Sequence, residues 1–396
     1  SFTRYNSRAC NGIARLNPDG SLDSTFTTGT AFGSNPVPVV ETLALQPDGK
    51  ILAGGNFLYY AALPAPRIIR LNVDGSRDTT FSTGTGFDDV VHELAVQPDG
   101  RILAAGAFAM YNGTPRSFAA RLDTDGSLDP SFDPGALFTD VALCVLVQPD
   151  GKVLVGGEFY LNGRHLVRLE SNGVPDPLFT GPSFSNGWVS DVALQSDGRT
   201  VVTGSFQSAF PTIRSIMRLE ADGARDTSFH TGLGLGVYGL ANGSSAERVL
   251  IQADGKILLV GAFTAYDEQY NGHMIRLNAD GTPDPSLQLG GGFSNDLHGC
   301  AIQADGSYIV VGEQLGVDGV GLSYLTRISS NGVADITYPI QTGVNDKILA
   351  LLVQADGRIV LGGECEFVNG ERRRGLARLL SNGDLDTTFH SGAGVT

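Results

Sequence analysis

The sequence predicts an all-β chain, 1–396, folded as a single β-propeller, and three observations predict it. A unit of about 51 residues recurs along the chain. Each unit holds short alternating apolar runs separated by Asp-Gly or Asn-Gly pairs. No helical periodicity interrupts the series, and a period near 50 without helices marks a propeller blade.

Two motifs alternate. The first, R-L-x-x-D/N-G-x-x-D-x-x-F, begins at Arg15, Arg70, Arg121, Arg168, Arg218, Arg276, Arg327 and Arg378. The second, V/L-x-x-Q-x-D-G-x-h-h-h-x-G, has its glutamine at Gln46, Gln97, Gln148, Gln195, Gln252, Gln303 and Gln354. The glycines of its Asp-Gly pairs, from Gly49 to Gly357, are spaced by 51, 51, 47, 57, 51 and 51 residues.

Runs such as Leu43–Gln46, Ile51–Phe57 and Ile68–Asn72 have the length and alternation of strands. Asp-Gly between two such runs signals a hairpin, because glycine enters the left-handed backbone of the turn without a Cβ clash. A unit therefore reads as strand, Asp-Gly turn, strand, variable loop, strand, second glycine turn and a short aromatic-ended strand. That is three to four antiparallel strands, one blade; a β-helix rung would be shorter. Seven complete repeats over 39–389 give seven blades. The surplus Arg-Leu motif within 1–30 is a partial unit expected to take part in ring closure, since an open sheet edge is costly. Eight blades, one assembled from incomplete halves, is the alternative.

Composition limits the function. The 53 glycines have no Gly-x-y period, which excludes collagen. A net charge of −15 disfavours nucleic acid and anionic lipid. No apolar run approaches the length of a spanning helix, so no membrane insertion is expected. Four cysteines are too few for a disulfide framework. Cys10 and Cys365 would form a disulfide latch if the termini meet, with free thiols as the alternative. Cys144 and Cys300 read as ordinary buried residues. Abundant Gly, Ser, Thr and Asn with few lysines lean towards an extracellular bacterial setting.

Eight residues after each motif arginine stands an aspartate: Asp23, Asp78, Asp129, Asp176, Asp226, Asp284, Asp335 and Asp386. A catalytic pair occurs once per site; a pair in every unit is scaffold. The hairpin can join guanidinium and carboxylate, or the carboxylate can accept N–H groups of the following turn. The repeated glutamines are expected to bond backbone between blades, and the terminal aromatics to fill the gap between sheets. Asn17-x-Asp19-Gly20-x-x-Asp23 partly resembles a calcium loop. It lacks the acidic first position and the bidentate glutamate, so it reads as a turn, with no metal site or cofactor assigned. No histidine pair has metal-ligand spacing, and His230 and His390 occupy equivalent positions.

Function in a repeat protein is sought where the period breaks. The loop Leu233–Arg248 carries much of the 57-residue spacing. Tyr266, Asp267, Glu268 and Tyr270 form a mixture suited to a sugar or a peptide. Trp188, the only tryptophan, can stack on a sugar or pack between blades. Glu158 and Glu364 replace Asn56 and Ala107 at one repeat position, and Glu364 opens a charged cluster that includes Glu366, Glu371 and Arg372–Arg374. The ligand-binding candidates are thus Trp188, Tyr266, Asp267, Glu268, Tyr270 and Glu364; no catalytic residue is assigned.

The units Q-P-D-G-K-I-L-x-G-G-x-F, N-G and R-L-N-x-D-G-S-L-D-x-x-F resemble the bacterial delta-60 repeat. The resemblance runs from Ile13 to Phe389 and weakens at Ser307–Leu315 and Ser286–Leu287. It implies a propeller of large secreted or surface proteins, without shared catalytic residues. The function expected is a non-enzymatic binding or structural module of a secreted or surface-exposed bacterial protein, making protein or glycan contacts. The alternatives are a carbohydrate-active enzyme drawing on Glu158, Asp267 and Glu364, and a calcium-dependent adhesion module.

Overall fold

Each Gln-x-Asp-Gly segment folds as a hairpin with a three-residue connection rather than a two-residue one. The Gln46 N–H donates to Lys50 O and the Gly49 N–H to Gln46 O. Asp48 Oδ1 accepts the Lys50 N–H, and Gly49 takes the left-handed φ of +82°. This is a tight turn closed by a left-handed residue, a position glycine fills without strain. The two-residue left-handed turns lie elsewhere in the unit, at Asn112-Gly113, Asn162-Gly163 and Asn369-Gly370.

The computed structural model describes residues 2–10, 12–29, 31–33, 38–208, 213–237, 244–317, 320–338, 343–389 and 394–395. His390 and residues 238–243 of the irregular loop lie outside them. The fold is all-β, multi-bladed and propeller-like, built from small antiparallel sheets. The chain divides into two compact units: unit 1 comprises 1–16, 22–194 and 220–224, and unit 2 comprises 17–21, 195–219 and 225–396.

Among the described residues unit 1 contains four three-stranded sheets: Val39–Leu45, Ile51–Asn56 and Ile68–Leu71; Val91–Val96, Ile102–Gly106 and Ala119–Leu122; Ala142–Val147, Val153–Leu161 and Arg164–Leu169; and the short Phe32–Gly33, Tyr59–Tyr60 and Leu63–Pro64. The strand Phe184–Leu194 follows. Unit 2 contains the paired strands Thr200–Ser208 and Arg214–Leu219. Its three-stranded sheets are Ala246–Ile251, Ile257–Gly261 and Met274–Leu277; Leu297–Ile302, Tyr308–Val317 and Val320–Ile328; Ile348–Val353, Ile359–Gly363 and Leu376–Leu379; and the short Leu235–Gly236, Ala265–Tyr266 and Gln269–Tyr270. In each three-stranded sheet the second strand is central. The aromatic-ended fourth run is reduced to single bridges such as Leu71↔Arg77 and Leu122↔Leu128.

The first and second strands meet at a register shift, between Ala105 and Gly106 in one repeat and between Val40 and Thr42 in another. The motif's last glycine stands there for a steric reason. A Cβ on Gly106 would lie 2.1 Å from Val90 O, and one on Gly363 2.2 Å from Lys347 O. Side chains on either side of these strands build cores shared by successive repeats. In unit 1, Leu52 and Ile68 pack with Val91, Leu94 and Ile102. In unit 2, Leu258 and Met274 pack with Leu297 and Val310. Each such side chain contributes about 1.5–3 kcal/mol through burial.

Candidate functional site

The Arg–Asp pairs are joined in all eight hairpins, with the closest N···O distance between 2.6 and 2.8 Å. The two readings of the aspartate hold together. Asp78 Oδ2 accepts Arg70 Nε, while its Oδ1 accepts both the N–H and the hydroxyl of Thr80. Asp129, Asp226 and Asp284 repeat the arrangement with a serine two residues on.

A second cation completes the group, and sequence reasoning missed it. The residue after each Asp-Gly pair reaches the same carboxylate: Lys50 to Asp78 at 2.9 Å, Lys152 to Asp176 at 2.8 Å, Lys256 to Asp284 at 2.9 Å. Arg101, Arg199 and Arg358 do so at 3.3 to 3.7 Å. Its signal was present, since Lys or Arg follows Asp-Gly in every repeat but one. Burial opposes ionisation of Asp176, but hydrogen bonds from Lys152, the Leu178 N–H and Arg168 outweigh it and hold the carboxyl at about 2.

The arginines also fasten each hairpin to the next. Arg70 Nη1 donates to Thr124 O, Arg121 to Ser171 O and Arg276 to Ser330 O. The terminal aromatic lies under the guanidinium, with Phe81 4.7 Å from Arg70, and packs on the next turn's glycine. A Cβ on Gly126 would stand 3.0 Å from the Phe81 ring. These aromatics therefore support the arginines as well as filling space. The exception has a local cause. Ser307 replaces the second cation, and Arg327 turns to Asp305 and Gln303, while Gln303 Nε2 donates to Ser381 O at 3.4 Å.

Gln303 is thus the glutamine that bonds the neighbouring backbone as expected. Elsewhere the side chains differ: Gln252 Nε2 donates to the Tyr308 hydroxyl at 3.1 Å, and Oε1 of Gln46, Gln97, Gln148, Gln195, Gln252 and Gln354 is buried without a partner among the described residues. Their main-chain N–H groups close the turns instead. Gln195 and Gln252 line a unit 2 cleft of about 550 Å³ with Asp197, Arg199, Arg218 and Asp280. In that cleft Arg218 is spent on Asp226 and Ala279 O.

The candidates read from irregular positions separate on structural grounds. Tyr266 is 1% exposed and its hydroxyl donates to Gly281 O at 2.6 Å. Tyr60 and Tyr111 do the same to Gly75 and Gly126, so Tyr266 is a repeated core residue and not a ligand contact. Asp267 and Glu268 form a two-residue turn, at φ +46° and +61°, where other repeats have Asn-Gly. Asp267 Oδ1 accepts the Leu233 N–H at 3.0 Å, as Asn112 accepts that of Thr85. Tyr270, Trp188 and Glu364 are exposed. The Asn17–Asp23 stretch is a turn whose carboxylates bind Ser21, Thr25 and Arg15. Cys10 and Cys365 are buried in unit 1 and unit 2 respectively. Cys10 Sγ faces Arg8 O at 3.5 Å and Cys365 Sγ faces Arg373 O at 3.9 Å.

Unit 2 holds a series of charges whose first pair has a counterpart in unit 1, where Glu41 and His92 stand at the same repeat positions with Oε2 2.6 Å from Nδ1. Glu247 and His298 sit 51 residues apart on successive first strands, with Oε2 3.4 Å from Nδ1. His298 Nε2 lies 3.8 Å from Glu313, which accepts from Lys347 Nζ. Glu313 occupies the repeat position of Glu364. Lys347 beside it holds its carboxyl below the usual range. Nearby in sequence, His273 Nδ1 lies 3.2 Å from Asp296. Burial pushes the His273 imidazole down, against the pull of that carboxylate. Among the described residues no group of three or more His, Cys, Asp or Glu could hold a metal ion.

The family described as a domain of unknown function (DUF5122) beta-propeller matches 1–26, 46–81, 97–132, 148–179, 195–229, 252–287, 303–337 and 354–389. The chain belongs to this family. It is the delta-60 repeat family that the motifs resemble. A comparison with curated proteins found no match. Among solved structures, the extracellular domain of a one-component system of B. thetaiotaomicron is 13% identical over 88% of this chain and 39% of its own, with a TM-score of 0.49. PorZ, a surface component of the type-IX secretion system of Porphyromonas gingivalis, is 12% identical over 88% of this chain and 47% of its own, with a TM-score of 0.40. A gluconolactonase of Xanthomonas campestris is 13% identical over 76% of this chain and 84% of its own, with a TM-score of 0.35. The chain thus spans less than half the length of the first two. Among the described residues no helix is long and apolar enough to cross a membrane.

Proposed function

We propose that the chain is a non-enzymatic binding module of a secreted or surface-exposed bacterial protein, recognising a polar protein segment or glycan through the unit 2 charges. The observation that carries this reading is the Glu313–Lys347 ion pair at the end of the Glu247–His298–Glu313–Lys347 series, since the Glu247–His298 part has a counterpart in the Glu41–His92 pair of unit 1. Lys347 keeps Glu313 ionised, so it presents a fixed charge and hydrogen-bond acceptor. A glycosidase acid would need a carboxyl raised towards neutrality. Asp267, which the enzymatic alternative requires, is spent on its turn.

Glycan-array and peptide-library binding to the intact chain, followed by product analysis, tests the proposal. The expected result is binding without turnover, weakened at least tenfold by Lys347→Ala and by His298→Ala. Released product would contradict the non-enzymatic reading, and binding indifferent to both substitutions would contradict the site.

A further inference from the structure

The cleft within unit 2 is bordered by acceptors that lack donors. Gln195, 8% exposed, and Gln252 both line it, and Oε1 of each is buried without a hydrogen-bond partner among the described residues. A buried acceptor without a donor is costly, so an entering group that supplies one is favoured. The Gln252 amide is oriented by its Nε2, which donates to the Tyr308 hydroxyl at 3.1 Å. The cleft holds about 550 Å³. One water takes about 30 Å³, whereas sites for small ligands run from about 300 to 1,000 Å³.

The same unit shows which donors this oxygen accepts. Gln303 Oε1, at the equivalent repeat position, accepts the Arg327 Nε–H at 2.8 Å and the Ser307 hydroxyl at 2.9 Å. At the cleft the equivalent arginines are turned elsewhere, Arg218 to Asp226 and Arg276 to Asp284. Arg199 and Lys256, which stand in the place of Ser307, bind those same aspartates.

Charge sets the sign of the occupant. The two lining cations, Arg199 and Arg218, both bind Asp226, and Arg199 binds Asp197 as well. Asp280 differs: its Oδ1 accepts the N–H and the hydroxyl of Thr282, and its Oδ2 has no hydrogen bond among the described residues. Ile251, Ala253 and Ala279 add apolar surface to the lining.

We propose that this cleft binds a guanidinium group, carried on an arginine side chain of a partner peptide. Its N–H groups satisfy the glutamine oxygens as Arg327 satisfies Gln303, its charge faces Asp280, and its methylene stem lies along the apolar wall. A planar fork of donors serves several acceptors at once, which the compact, strongly hydrated ammonium of lysine does less well. The site uses no residue of the Glu247–Lys347 series, so it stands or falls apart from the binding reading above.

The probes are the tripeptide amides Gly-Arg-Gly and Gly-Lys-Gly and methylguanidinium, each titrated into the intact chain by calorimetry. The expected result is saturable one-to-one binding of Gly-Arg-Gly, at least fivefold tighter than the other two. Asp280→Asn, at an exposed position and with the acceptor for Thr282 kept, should weaken it at least fivefold, and so should Gln195→Leu. Asp222→Asn makes the same change of charge at the equivalent turn position outside the cleft and should leave binding unchanged, as should Lys347→Ala. No saturable binding at millimolar Gly-Arg-Gly, equal binding of Gly-Lys-Gly, or binding that Asp280→Asn leaves unchanged overturns the proposal. Methylguanidinium bound as tightly as the tripeptide would overturn the peptide as its source.

Discussion

Arg378 donates through Nη1 to the carbonyl oxygen of Pro18, 360 residues earlier in the chain. The guanidinium lies over Phe389, 4.7 Å from the ring centroid, and that ring packs on Gly20. Unit 1 shows the same contact between Arg15, Val73, Phe26 and Gly75. The N-terminal turn is therefore held against the last hairpin by the device that joins neighbouring hairpins elsewhere.

Gly20 should be far less replaceable than the turn glycine Gly113. It has φ +80°, and a Cβ there would stand 2.7 Å from the Phe389 ring. Gly113 has φ +73° with nothing within 4 Å. Gly113→Ala should cost about 1 kcal/mol through the backbone alone. Gly20→Ala adds overpacking, about 1–3 kcal/mol more. Urea unfolding should show the larger loss for Gly20→Ala; equal losses would contradict the packing.

Acid should dismantle the pairs in a defined window. Asp176 and Asp226 are both held at about 2 in the fold, against an ordinary 3.8. Between those values the unfolded chain binds more protons than the folded one. The stabilisation is full above about pH 4 and lost as pH falls through about 2. Unfolding free energy measured by urea at stepped pH should fall over that interval, and less steeply in Asp176→Asn.

Tyr266→Phe should lower stability by about 1 kcal/mol, the net value of a buried hydrogen bond, and leave partner binding unchanged. Tyr111→Phe should match it, because both hydroxyls serve a glycine carbonyl 15 residues on. Lost binding with unaltered stability would return Tyr266 to a ligand site.

Glu268→Gly should stabilise the chain by up to about 1 kcal/mol, since Glu268 holds φ +61° where Gly113 and Gly370 stand in other repeats. Thermal melting of the two forms checks this; a lower Tm for the glycine form would contradict it.

The hairpins and the Arg–Asp pairs were legible because both lie within one short stretch. Arg70 and Asp78 are eight residues apart and face each other once the turn closes. Lys50 lies 28 residues from Asp78, and they meet only through the register that sets Leu52 opposite Arg70. That register needs the sheet. Tyr266 looked irregular because Gln269 and Tyr270 surround it. Comparing its distance to Gly281 with those of Tyr60 and Tyr111 to their glycines would have shown its role. The Glu247–His298 pair left a signal that was not used: Glu41 and His92 stand at the same repeat positions, also 51 residues apart, and pair in the same way.

Hydrogen exchange over residues 15–26, compared between the intact chain and Phe389→Ala, tests most directly whether the hairpins hold one another. The account predicts protected amides around Gly20 in the intact chain and faster exchange there on truncation of the ring, with protection of the strand Ile102–Gly106 unchanged. Free exchange around Gly20 in the intact chain, or exchange indifferent to Phe389→Ala, would contradict it.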